Sequence, residues 1–217
     1  MSQADIFSTT GFIPAVVPVS LSAAEVEQAP AIRRFTADEY HRLGEVGILG
    51  GDERVELLEG IVTMMPPIGV AHLKAVTAAH KRLQRLAPGV WQAVCQQPIR
   101  LQASEPVPDI ALIRGNVRNY ADLPDTSNVG LVVEVAETTL RQDRGLKASI
   151  YAAASIAEYW IVNLVDRRLE VHRQPVAATG ESPARYKAVN SLASGQSVDV
   201  VLDGAPVGTI AVNDLLQ

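Results

Sequence analysis

The segment Val129-Gly-Leu-Val-Val-Glu-Val-Ala136 constrains this chain more than any other. It is a nearly continuous apolar run, interrupted only by Gly130 and Glu134. A run of this kind reads as a central strand, buried on both faces. Such a strand needs pairing partners on either side and cover above and below. The chain must therefore build a layered structure around it. A carboxylate in the middle of a buried strand is costly unless it is paired, protonated or bound to a metal. Glu134 holds that position, so the strand marks both the core and a candidate site.

The flanking sequence supplies the layers. Thr36-Ala-Asp-Glu39 is a capping-box pattern and predicts a short helix over 37–46, stopped by Gly47. Arg54–Glu59 and Ile61–Met65 flank Gly60 and read as a hairpin, ended by Pro66-Pro67. From His72 to Ala87, Leu73, Val76, Ala79, Leu83 and Leu86 recur at helical spacing before Pro88-Gly89. Residues 90–101 read as extended, and 109–113 as a strand entered through Pro108. A second long helix is predicted over 143–154, with Leu146, Ile150, Tyr151 and Ala154 on one face. Residues 159–165 form another buried strand, and 169–173 pair back against it. Weaker strands follow near 185–189, 197–202 and 207–211. The order predicts a mixed α/β (α+β) fold, a central sheet flanked by helices.

Residues 1–31 lack a sustained period and read as an N-terminal extension, a flexible tail or an arm built on Phe12–Val17. Residues 32–217 read as one domain. The single cysteine, Cys95, excludes an intramolecular disulfide framework and suits a reducing, cytoplasmic setting. No apolar run reaches membrane-spanning length, and the first residues lack the basic start of a secretory signal.

Asp109 opens its strand after Pro106-Val-Pro108 and lies 25 residues before Glu134. If the two strands are neighbours, both carboxylates reach one point. Asp143 and Lys147 stand at i and i+4 on the following helix. They form either a surface ion pair or, with Lys147 turned back over the sheet, part of the site around Glu134. Two acids and an amine around a small cleft suit a hard cation such as magnesium, with the lysine acting on a water. His72, at a helix start, is compatible with a core or a catalytic role.

Six motifs in order carry a resemblance. They are Arg54-x-Glu56 with Gly60; Pro66-Pro67 with His72; Pro108-Asp109-Ile-Ala; Val132-Val-Glu134-Val-Ala; Asp143-Arg144-x-x-Lys147; and Glu158-Tyr-Trp-Ile-Val162. Together they resemble the bacterial restriction-endonuclease family of the Uma-two type, in the PD-(D/E)XK nuclease superfamily, over about residues 33–175. The resemblance implies a restriction-endonuclease-like core and metal-dependent hydrolysis of DNA phosphodiester bonds. It implies that Asp109, Glu134 and the carbonyl of Val135 bind magnesium, with manganese as the substitute. Glu56 would add a further acid, and Lys147 would position the attacking water. The superfamily's usual lysine, two residues after the second acid, is replaced here by Ala136; Lys147 takes that role from the next helix.

The net charge of −5 speaks against a nucleic-acid partner until it is divided along the chain. Residues 1–30 carry −3, residues 174–217 carry −2, and the middle is neutral. Between Glu59 and Glu105 there is no acid, but there are Lys74, Lys81, Arg82, Arg85 and Arg100. With Arg144 near the site, the residues Lys74, Lys81, Arg82 and Arg85 form a candidate DNA-binding rim; an ordinary solvated helix face is the alternative. A homodimer would let two sites address two strands. The competing reading is a degenerate nuclease fold serving as a DNA-binding or protein-interaction module.

Overall fold

The computed structural model describes residues 31–180 and 182–216. The extension expected over residues 1–31, with its apolar stretch Phe12–Val17, lies almost wholly outside them. Arg34–Gln217 form one compact unit.

Helix α1 (Ala37–Glu45) begins with both arms of the expected capping box: Glu39 N donates to the Thr36 hydroxyl, and Thr36 N to the Glu39 carboxylate. Strands β1 (Val55–Leu58) and β2 (Ile61–Met64) form the expected hairpin. Glu59 and Gly60 turn at φ 50° and 74°, the positive pair that a two-residue hairpin turn requires. A side chain at Gly60 would also meet Arg34 Cβ at 2.6 Å, so glycine is needed there twice over. Helix α2 spans Val70–Leu86 and buries Ala75, Val76, Ala79 and Leu83.

Six strands make the central sheet, in the order β3 (Trp91–Cys95), β4 (Ile110–Arg114), β5 (Val129–Ala136), β6 (Glu158–Asn163), β7 (Arg168–Val176) and β8 (Arg185–Ala193). All neighbours are antiparallel except β5 and β6, which are parallel. A parallel pair needs a crossover. Here it is α3 (Leu140–Gln142), a π-helical turn (Asp143–Lys147) and α4 (Ala148–Ala153) in unbroken succession.

Strand alternation sends side chains to two separate cores. Leu131, Val133 and Val135 pack with α2 and with the hairpin of β9 (Ser197–Leu202) and β10 (Ala205–Ala211). Val132 and Ala136 pack with Ala148, Ile150 and Tyr151 on the opposite face. The hairpin sits close: a side chain at Gly130 would meet Leu202 and Trp91 at 2.7 Å. The fold is thus the mixed α/β sheet with flanking helices read from the sequence. Trp160 is wholly buried. Leu146, expected on the inner face of its helix, is 43% exposed, because the π turn resets the helical phase just there. Among the described residues no helix is long and apolar enough to cross a membrane.

Candidate active site

The register Ile110↔Val133 places Asp109, just before β4, beside Glu134 on β5. One oxygen of Asp109, Oδ2, accepts from Val135 N at 2.8 Å and lies 3.0 Å from His72 Nε2 at the start of α2. Glu56 comes from β1. Its Oε2 accepts from Val107 N at 3.1 Å and forms an ion pair with Lys147 Nζ at 3.2 Å. Glu134 Oε1 accepts from Lys147 Nζ at 3.1 Å and from the Tyr151 hydroxyl at 2.7 Å. Four candidates from four separate segments therefore converge: Glu56, Asp109, Glu134 and Lys147. They line one cleft of about 270 Å³ with Arg54, Pro66, Gly69, His72, Val107, Glu137 and Asp143.

The π turn presents Asp143 and Lys147 inward together, and both are buried. Their relation is not the surface i,i+4 pair. The ion pairs of Lys147 are with Glu134 and Glu56, while Asp143 Oδ2 accepts from the Thr139 hydroxyl at 2.6 Å.

Electrostatically the site is overfilled with acid. Burial, with Asp109, Asp143 and Glu56 nearby, pushes the Glu134 carboxyl up to about 8 despite the attraction of Lys147. Burial likewise lifts Asp143 to about 6 against its hydrogen bond from Thr139. Burial alone would lower Lys147, but Glu134, Glu56 and Asp143 outweigh it and hold the ammonium above its ordinary value. All three shifts state one fact: a single ammonium does not balance the carboxylates around it. The hydrogen bond to Asp109 raises His72.

Each main carboxylate spends one oxygen on the protein. The other oxygens, Asp109 Oδ1, Glu134 Oε2 and Glu56 Oε1, have no hydrogen-bond partner among the described residues. These are hard donors, of the kind magnesium takes. Among the described residues, no three His, Cys, Asp or Glu groups already stand close enough to enclose an ion. A magnesium site need not be so enclosed, since that ion keeps several waters and is commonly bound through one or two carboxylates. The donor chemistry and the unbalanced charge both fit a cation here.

Two of the candidate DNA-binding residues are committed elsewhere. Arg82 pairs with Asp214 at 3.1 Å and ties α2 to the C-terminal turn. Arg144 is bidentate to Glu170, through Nε at 2.9 Å and Nη2 at 2.7 Å, and also reaches Asp166. Lys74, Lys81 and Arg85 are exposed and have no carboxylate partner among the described residues. Spaced by seven and four residues, they lie on one stripe of α2.

Sequence reasoning placed Tyr151 only in the core and did not pair His72 with Asp109. The π turn was missed too. Its one local signal was Gly145, a poor helix former in the middle of the predicted helix.

A mixed six-stranded sheet, helices on its faces and an acidic cleft at its central strands define a restriction-endonuclease-like fold. The chain belongs to the Uma2 family, described as "Putative restriction endonuclease", whose model matches residues 37–204. In structure it is similar to an Anabaena variabilis protein described as a putative nuclease belonging to DUF820. The TM-score is 0.59 at 14% sequence identity, over 84% of this chain and 97% of that one, so the likeness bears on the fold alone. Comparison with curated proteins gives no match.

Proposed function

We propose that this chain is a metal-dependent DNA endonuclease. The observation that carries the reading is the meeting of Glu56, Asp109, Glu134 and Lys147 in one cleft, with Lys147 Nζ 3.1 Å from Glu134 and 3.2 Å from Glu56. Family membership supports the reaction class. Asp109, Glu134 and the Val135 carbonyl would hold magnesium or manganese, with Glu56 beside them. When bound, such an ion supplies Lewis-acid polarisation of the phosphate and a more acidic water.

The chain's own residues do the rest. In hydrolysis a water oxygen bonds to phosphorus, the bond from phosphorus to the leaving oxygen breaks, the attacking water gives up a proton to solvent, and the leaving oxygen takes one from solvent. Lys147 is held as an ammonium by its neighbours, so it is not the base in this scheme. It positions the water and offsets the charge that grows on the phosphate oxygens. His72 orients Asp109 from behind.

DNA is held locally. The Lys74, Lys81 and Arg85 stripe lies on the solvent side of α2, opposite the face that carries His72 and the buried Ala75, Val76, Ala79 and Leu83, and runs about 16 Å along the helix at 1.5 Å per residue. These cations can hold a phosphate backbone along that side of the helix.

The test is nicking of supercoiled plasmid with magnesium or manganese and with EDTA, comparing wild type with Glu134→Ala. Metal-dependent nicking lost in the variant supports the reading; metal-free nicking, or equal nicking by the variant, overturns it. Plasmid binding without any nicking would favour the module reading. One feature points that way: the amine is already engaged by two carboxylates.

A further inference from the structure

Arg144 is the cation of the π turn that the proposed chemistry leaves unused, and its partner lies in a telling place. The registers Glu134↔Ile161 and Ile161↔Glu170 put Glu134, Ile161 and Glu170 in one row across β5, β6 and β7. Directly paired residues share a face of the sheet. Two strand spacings separate the two carboxylates, about 10 Å. The π turn covers this face, and it carries two cations three residues apart. Lys147 binds the near carboxylate, Glu134, and Arg144 the far one, Glu170.

The far contact is strongly built. Arg144 meets Glu170 through two parallel N–H donors, the arrangement that fixes direction as well as distance. Asn163 Nδ2 donates to Glu170 Oε1, the oxygen that Arg144 Nη2 meets, at 2.8 Å and to Asp166 at 2.9 Å, and Asp166 also meets Arg144. The Tyr159 hydroxyl donates to the Asp143 carbonyl at 3.1 Å, fixing the start of the turn to β6. A π turn is a poor helical geometry that persists only where its surroundings impose it. Here the surroundings are a row of sheet residues reaching up to it.

We propose that Arg144 and Glu170 are a positioning pair that pins the π turn to the sheet and so fixes the Lys147 ammonium between Glu134 and Glu56. Arg144 then acts through the turn and not on DNA. The inference deepens the nuclease reading and rests on it for its kinetic test alone.

The test compares Arg144→Ala, Glu170→Gln and the double variant with wild type in three readouts. First is plasmid cleavage, separated into kcat and KM. Second is the salt dependence of DNA binding. Third is the ¹⁵N resonance of the Lys147 ammonium, which needs no turnover. Misplacing a positioned group by about 1 Å costs on the order of 100-fold. The expected result is a 10- to 100-fold fall in kcat, with KM and salt slope unchanged. The double variant falls no further than the worse single one, and Arg144→Lys recovers part of the rate. The Lys147 resonance, sharp in wild type, broadens in both single variants. A fall in salt slope with kcat preserved would make Arg144 a phosphate contact and overturn the proposal. So would losses that multiply in the double variant, an unchanged Lys147 resonance, or activity that only tracks the folded fraction by circular dichroism. If wild type does not cleave DNA and the resonance still broadens, the nuclease reading fails and the positioning pair stands.

Discussion

Replacing Glu134 by Gln should make the metal-free protein more stable in alkali, an unusual outcome for a residue at a candidate active site. Burial and neighbouring acids raise the Glu134 carboxyl from 4.5 to about 8 in the folded chain. The folded chain keeps this proton while the unfolded chain releases it near 4.5. Stability from this group is therefore complete below pH 4.5 and is lost as pH rises toward 8. At 1.36 kcal/mol per pH unit the whole change amounts to about 5 kcal/mol at most. Asp143, lifted to about 6, and His72, raised by Asp109, lose stability in the same direction. Glutamine keeps an oxygen for Lys147 and Tyr151 but has no proton to release. Urea unfolding in EDTA at intervals from about pH 5 to 9 measures the effect. Wild-type stability should fall across the series, and Glu134→Gln should fall less, so that the variant overtakes it at the alkaline end. Parallel curves, or a wild type that gains stability from pH 6 to 8, would refute the charge account of this site.

Lys147→Ala strips two buried carboxylates of their partner, and such a loss costs about 3–5 kcal/mol without metal; urea denaturation reads it. The same variant should lose nicking activity by about 100-fold or more, and cleavage at the parent rate would contradict the assignment. Single alanine replacements of Lys74, Lys81 or Arg85 should each lower the salt slope of DNA binding by about 0.9, whereas Arg82→Ala, already paired with Asp214, should leave it unchanged; fluorescence titration in graded salt separates the two. Tyr151→Phe removes the hydroxyl from buried Glu134 and should destabilise the fold by about 1–3 kcal/mol, with no stability change marking that bond as unimportant. Asp109→Asn should abolish magnesium binding by calorimetry, and retained binding would move the ion elsewhere.

The parts of the fold readable from the chain were those with a strong local cause. The apolar run around Glu134 is the third of six strands, as its composition demands. Thr36 and Glu39 cap α1 reciprocally because that spacing leaves them facing each other. The site candidates were readable because a carboxylate in an apolar strand needs a reason. What escaped was set by contacts distant in the chain. Nothing near Arg144 announces Glu170, which lies 26 residues away on β7. Nothing near Arg82 announces Asp214. Both looked like free cations and are occupied ones. The π turn escaped because its spacing differs from an α-helix by one residue, and only the sheet beneath decides between them.

Glu134 belongs to the sheet and Glu56 to the β1–β2 hairpin, but the amine that faces both arrives on the helical layer above the sheet. Acid and amine meet only while that layer is seated. Loosening the α3–α4 crossover while the strands stay paired would part Lys147 from Glu134 without disturbing the sheet that carries the acid.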